Sequence, residues 1–81
     1  MQAFVEYVVK GLVDHPETVT VTPVENGGQT VYELRLAPDD VGKIIGRKGA
    51  TIQSIRALVQ VGSAKQGKRA TVEIVEDGAQ S

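Results

Sequence analysis

The 81-residue chain is predicted to fold as an α+β domain of order α-β-β-α-α-β, a three-stranded mixed sheet with three helices on one face. Apolar residues recur at helical spacing in three separate stretches. They alternate with polar residues in three others. A glycine-punctuated helix pair separates the last two alternating stretches, and a connection of that length allows parallel neighbours with a right-handed crossover. The length suits one small domain over residues 1–81, and 41% apolar residues suffice for one core.

The first helix rests on Phe4, Val5, Val8, Val9, Leu12 and Val13, adjacent pairs repeated every four residues. Pro16 disfavours helical geometry in the residue before it, so the helix should stop near Asp14–His15. Thr18-Val19-Thr20-Val21-Thr22 alternates with β-branched residues and reads as a half-buried strand. Pro23 cannot donate to a ladder, which places that strand at a sheet edge. Glu25-Asn26-Gly27-Gly28 is a turn cluster, because Asn-Gly tolerates the positive φ of tight hairpins. Tyr32, Leu34 and Leu36 then face the core from a second strand, central within residues 29–37.

Ala37-Pro38-Asp39-Asp40 opens the second helix, with an acid to cap free N–H groups at its positive end. Val41, Ile44 and Ile45 form its apolar face until Gly46 and Gly49 interrupt it. Ile52, Ile55, Leu58 and Val59 carry the third helix, which Gly62 is expected to end. A polar loop from Ser63 to Gly67 leads to a third strand, where Ala70, Val72 and Ile74 alternate with Thr71 and Glu73. The tail from Asp77 to Ser81 should fray.

The formal charge is −1, but it is unevenly distributed. From Val41 to Val72 there are seven basic residues (Lys43, Arg47, Lys48, Arg56, Lys65, Lys68, Arg69) and no acid. The rest of the chain holds two basic residues, Lys10 and Arg35, and all ten acids. Such asymmetry points to an anionic or nucleic-acid partner. No apolar run reaches 18 residues, so no membrane span or membrane partner is expected. The N-terminus lacks the pattern of a signal or transit peptide. Zero cysteines exclude a disulfide framework, a thiolate metal site and a thiol nucleophile. His15, the single histidine, cannot build a His-based metal site alone and reads as a helix-end residue. These features predict a cytoplasmic protein without metal or cofactor.

The segment Gly42-Lys43-Ile44-Ile45-Gly46-Arg47-Lys48-Gly49-Ala50-Thr51-Ile52 puts a Gly-X-X-Gly turn between two helices, with both X positions basic. Glycine lacks a Cβ, so a phosphodiester backbone can approach the peptide closely. The turn precedes a helix start, whose free N–H groups and dipole favour an anion. Ile44, Ile45, Ile52 and Ile55 can pack the core and wall a groove for unpaired bases, with Ile44 and Ile52 favoured for both tasks. Phosphates on the turn and bases in a cleft are how a small domain holds a single strand. The residues assigned to RNA are Lys43, Ile44, Ile45, Gly46, Arg47, Lys48, Gly49, Ala50, Thr51, Ile52 and Arg56.

Ile45-Gly46-Arg47-Lys48-Gly49 followed by Ile52 resembles the K-homology (KH) signature. A helix and strand ahead of a βααβ unit resemble the type II, prokaryotic arrangement. The stretches FVEYVVKGLVDHPETVTV and APDDVGKIIGRKGATIQSIRALV are similar to the small stand-alone bacterial KH proteins of the KhpA type. That resemblance implies a cytoplasmic single-stranded RNA-binding protein and RNA chaperone. It also implies a larger partner of the KhpB type, and an influence on cell elongation and cell-wall homeostasis. One groove holds about four nucleotides. Linking two grooves raises avidity, which favours a homodimer or a KH-containing partner.

Blander readings stand beside these. Gly46 and Gly49 alone would fit a plain helix–helix turn; the adjoining Arg47 and Lys48 favour nucleic acid. Lys43 and Arg56 fit solvated helix charges as well as the site, and Lys65, Lys68 and Arg69 fit a solvated loop as well as a groove flank. Asp39 and Asp40 read as a helix cap, since no nucleophile or metal ligand accompanies them. A helix-turn-helix module on DNA leaves the three strands unexplained, and a protein-interaction module would dock an acidic partner on the basic turn. An enzyme is disfavoured, because the longer phosphate-loop pattern ending in Gly-Lys-Ser/Thr is absent.

Overall fold

A computed structural model of the chain describes residues 1–75. The tail expected to fray lies outside them. Helix α1 spans Gln2–Leu12, strand β1 Thr20–Asn26, strand β2 Gln29–Arg35, helix α2 Pro38–Ile45, helix α3 Ala50–Ala64 and strand β3 Ala70–Ile74. Short 3₁₀ turns lie at Pro16–Thr18 and Arg47–Gly49. The sheet order is β1-β2-β3. β1 and β2 are antiparallel, with Val21 opposite Leu34. β2 and β3 are parallel, with Leu34 opposite Ile74. The α-β-β-α-α-β order and the central second strand are as the sequence predicts.

Leu34, Val72 and Ala70 send their side chains to one sheet face, where they meet Val5 and Val9 of α1, Ile44 of α2, and Ile52, Ile55 and Val59 of α3. Leu34, Ile44, Val5, Val9, Val59 and Val72 are completely buried. Fully burying one such side chain stabilises the fold by about 1.5–3 kcal/mol before chain entropy is counted. Tyr32 and Leu36 pack partly against this core, as expected of the even-numbered residues here, although β2 ends at Arg35, one residue before Leu36.

The helix faces are narrower than their periodicity implies. In α1, Val5 and Val9 are buried, but Phe4 and Leu12 are exposed. In α2, Ile44 is buried and Ile45 is not. In α3 the inward stripe is Ile52, Ile55, Val59 and Ser63, while Leu58 turns outward. A helix resting on a three-stranded sheet presents one line of side chains inward, so residues at the flanks of the stripe stay in solvent.

Several boundaries differ from the sequence expectation. β1 runs through Pro23 to Asn26 instead of stopping at Thr22. Its position at the edge lets proline sit in the strand without costing a ladder bond on the buried side. Asn26 is therefore paired with Gln29, and Gly27 and Gly28 are the two turn residues. Both have positive φ, 60° and 82°, which a tight two-residue hairpin of this kind demands. Thr18 belongs to the 3₁₀ turn rather than to β1. α3 continues past Gly62 to Ala64. Gly62 instead leaves room for the Met1 side chain, since a Cβ there would lie 2.6 Å from the Met1 methyl carbon.

The remaining difference concerns Asp40. Neither a cap on its own helix nor exposed, it is completely buried, and α2 has no side-chain cap. Its carboxylate accepts the backbone N–H groups of Asp14 at 3.2 Å and His15 at 3.0 Å. Those N–H groups are thus turned away from α1, which ends at Leu12 instead of running to Asp14–His15. Lys43, one turn along α2, lies 3.7 Å from Asp40 and 2.7 Å from Asp14. Asp40 thereby fastens α2 to the α1–β1 connection. Burial raises its pKa, but the two N–H bonds, His15 and Lys43 outweigh burial, and the group sits below its ordinary value.

A carboxylate with a depressed native pKa stabilises the fold above its unfolded pKa, about 3.9 for aspartate, and loses that contribution as pH falls through the native value. Asp40→Asn should therefore melt well below the parent protein at pH 7. The gap should narrow as pH falls below that ordinary value. Parallel melting curves for the two proteins at every pH would contradict this role.

Candidate functional site

The crossover from β2 to β3 carries α2, the Gly46–Gly49 turn and α3 in succession. α2 closes when the Gly46 N–H donates to the Gly42 carbonyl at 2.9 Å. Gly46 then has φ 75° and ψ 178°, a combination essentially confined to glycine. A Cβ at this position would also overlap the Thr51 Oγ1 and lie 2.9 Å from the Thr51 backbone nitrogen. So Gly46 is required twice, by backbone angle and by the packing of α2 against the first turn of α3. Gly49 is required once: its φ is 78°, but a Cβ there would meet only the Gln53 side chain, at 3.8 Å. The Gly49 N–H donates to the Gly46 carbonyl at 3.2 Å and closes the turn.

Between the glycines, Arg47 and Lys48 are exposed. Lys48 has φ 56° and ψ 25°, the only non-glycine residue of positive φ among the described residues. A left-handed L-residue costs about 1–2 kcal/mol. The strain directs a charged side chain outward from the tip of the turn, and backbone strain of this kind gathers at functional sites. Immediately after, α3 opens without a side-chain cap and with no acid in its first turn. Its first N–H groups therefore remain available to an anion.

The expected site residues divide into three groups. Gly46, Arg47, Lys48, Gly49, Ala50 and Thr51 are brought together in the turn and at the start of α3. Ile44 and Ile52 are core residues, at 0% and 6% exposure, so neither walls a groove as expected; Ile45, at 39%, is the apolar side chain open beside the turn. Core burial was the stronger demand on the two isoleucines that face the sheet. Lys43 and Arg56 are drawn away from the turn. Lys43 is held by Asp14 and Asp40, and the Asp14 bond is the main reason its pKa is raised. Arg56 is half-buried and donates its Nε–H to the Val72 carbonyl on the outer edge of β3 at 2.9 Å. Four further guanidinium N–H donors remain. Lys65, Lys68 and Arg69, expected as possible groove flanks, lie beyond the opposite end of α3.

The electrostatics follow the same division. Lys10 pairs with Glu6, Arg35 with Glu33, and Lys43 with two carboxylates. Arg47, Lys48, Arg56, Lys65, Lys68 and Arg69 have no carboxylate partner among the described residues. The left-handed Lys48 and the Gly46–Thr51 contact had no signal in residue type. The buried role of Asp40 was hidden because an acid at a helix start fits a cap equally well. Among the described residues no cluster of His, Cys, Asp or Glu could hold a metal ion, and no helix is long and apolar enough to cross a membrane.

The family model described as KhpA/KhpB, KH domain, matches residues 2–74. A curated relative from Chlamydia pneumoniae, named RNA-binding protein KhpA, is 40% identical over 77 residues, covering 95% of this chain and 99% of its own. Proteins of the same name from Caldanaerobacter subterraneus and Listeria monocytogenes are 40% and 38% identical, covering 93% and 94% of this chain and 100% of theirs. No solved structure matches the chain.

The two glycines should respond unequally to alanine. Gly49→Ala incurs the left-handed backbone cost of about 1–2 kcal/mol. Gly46→Ala adds overlap with Thr51, and overpacking typically costs a further 1–3 kcal/mol. Urea unfolding of both variants measures the difference. Equal losses would show that the Gly46–Thr51 approach does not constrain the turn.

Proposed function

The chain belongs to the KhpA/KhpB KH-domain family, and on that footing we propose that it binds single-stranded RNA, with the Gly46–Gly49 turn gripping the phosphodiester backbone. One observation carries this reading: two exposed cations, without a carboxylate partner among the described residues, sit on a strained glycine turn that leads into an uncapped helix start. A phosphate at the turn gains charge-assisted bonds from Arg47 and Lys48 and backbone bonds from the first turn of α3. Ala50 and Thr51 belong to that same surface. Ile45 supplies apolar contact for an unpaired base, and Arg56 offers its free N–H groups further along α3. Ile44 and Ile52 support the site from beneath. Lys43 contributes little to the phosphate field, because its charge is already answered by Asp14 and Asp40.

The names of the relatives agree with RNA binding, since each is called an RNA-binding protein. The finer reading follows from the resemblance. It is a cytoplasmic, non-enzymatic RNA chaperone that works with a KhpB-type partner and influences cell elongation and cell-wall homeostasis. A grip on about four nucleotides is weak by itself, so a second groove is part of the reading. Leu58 and Val61, 54% and 59% exposed and one turn apart on α3, provide apolar surface for a second copy or for that partner. Light scattering on the purified chain distinguishes these two occupants: a dimer mass favours the second copy, and a monomer favours the partner.

Replacing Arg47 and Lys48 together by Asp places two negative charges where the phosphate sits. RNA binding should be abolished while the melting curve stays cooperative, because both residues are exposed. The parent protein should prefer single-stranded RNA to duplex, and salt should weaken binding. A folded double variant with undiminished RNA affinity, or a parent that prefers duplex, would refute the site.

A further inference from the structure

α3 separates two positive ends. One is the Gly46–Gly49 turn. The other is Lys65, Lys68 and Arg69, just past Ala64. Fifteen helical residues at 1.5 Å each put about 20 Å between them.

The far end is a built structure. The Gly67 N–H donates to the Ala64 carbonyl at 2.9 Å and the Lys68 N–H to the Ser63 carbonyl at 2.9 Å. With Gly67 at φ 71°, this is the paired-bond glycine cap of a helix C-terminus. The Arg69 carbonyl then accepts the Thr30 N–H at 2.9 Å, which ties the segment to the start of β2. Lys65, Lys68 and Arg69 are all exposed. Lys68 and Arg69 are shared by two open concavities. One, of about 260 Å³, also touches Gln29, Gln60, Ala64 and Ala70. The other, of about 380 Å³, reaches Gly28 and Thr30 of the hairpin, with Glu25 and Gly67. Glu25, the acid in these concavities, accepts a hydrogen bond from Thr30 Oγ1 at 2.7 Å and does not pair with the three cations.

A helix C-terminus attracts cations without any ligand. Its dipole is equivalent to about half an elementary charge, however, and three cations exceed that several-fold. Lys68 and Arg69 carry this surplus into both open concavities, the smaller of them polar and edged by Gln29 and Gln60, and exposed Lys65 stands nearby at the end of α3. This is the chemistry of backbone phosphate recognition without base selection.

We propose that Lys65, Lys68 and Arg69 form a second phosphodiester contact, which takes the same RNA strand beyond the nucleotides held at Gly46–Gly49. The strand passes Arg56 between the two ends, and the footprint is set by the length of α3. The inference rests on the reading that the Gly46–Gly49 turn holds single-stranded RNA.

The test compares RNAs of four and twelve nucleotides, titrated calorimetrically at several salt concentrations against the parent protein and K65Q/K68Q/R69Q. Cooperative melting of the variant checks its fold. The triple variant should bind the four-nucleotide RNA within twofold of the parent. It should lose tenfold or more on the twelve-nucleotide RNA, and its salt slope there should fall by about 2, since each single-strand phosphate contact contributes about 0.7. An unchanged slope on the long RNA overturns the proposal. So does an equal loss on both lengths, which marks a general field and not a second contact. Loss of polyglutamate binding with intact long-RNA binding overturns it too, in favour of an acidic protein partner. Failure of the underlying reading shows elsewhere, as four-nucleotide RNA affinity unchanged by R47D/K48D.

Discussion

The parallel pairing of β2 with β3 is the constraint from which the rest of the molecule follows. Two neighbouring parallel strands cannot be joined by a tight turn; the chain must leave the end of one and return to the start of the other. Here that return is made by α2, the Gly46–Gly49 turn and α3. Both helices must lie on the same sheet face to bury Leu34 and Val72, and Ile44, Ile52, Ile55 and Val59 are the residues that do so. Packing α2 against α3 with only a short turn between them brings the backbone of Gly46 onto Thr51. The turn is thus a by-product of the crossover, pushed out at the place where no side chain fits.

The same geometry sorts the charges. α1, the α1–β1 connection, the hairpin and the start of α2 carry seven of the ten acids, and the cations among them are paired. Asp40 has a structural task there, fastening the crossover to the α1–β1 connection through two backbone N–H groups. Along α3 and at both of its ends the cations pair with no carboxylate among the described residues. A net charge of −1 therefore describes neither side of the molecule. The positive side is available to phosphates, while the acids opposite limit non-specific attraction.

Much of this was legible in residue order. Alternation in Tyr32–Leu36 and Ala70–Ile74 located the parallel pair, and the glycine spacing with Arg47 and Lys48 located the turn. Three kinds of information were not legible. Helical periodicity does not say how wide the buried stripe is, so Phe4, Leu12, Ile45 and Leu58 read as core although they lie at its flanks. A glycine's reason is not written in its neighbours: Gly62 looks like a helix end but makes room for Met1. A charged residue's partner is often distant in sequence. Lys43 looked like a phosphate ligand and Asp40 like a cap, because their shared partner Asp14 lies 26 residues before Asp40.

The proposed function turns on the backbone of the Gly46–Gly49 turn itself receiving the phosphate. It is tested most directly by mapping amide ¹⁵N–¹H chemical shifts while a four-nucleotide single-stranded RNA is added. The largest changes are expected at the amides of Gly46 to Thr51, with the open face of β1 and the outer surface of α1 unmoved. Changes centred on α1 or the hairpin, with the turn silent, would contradict it.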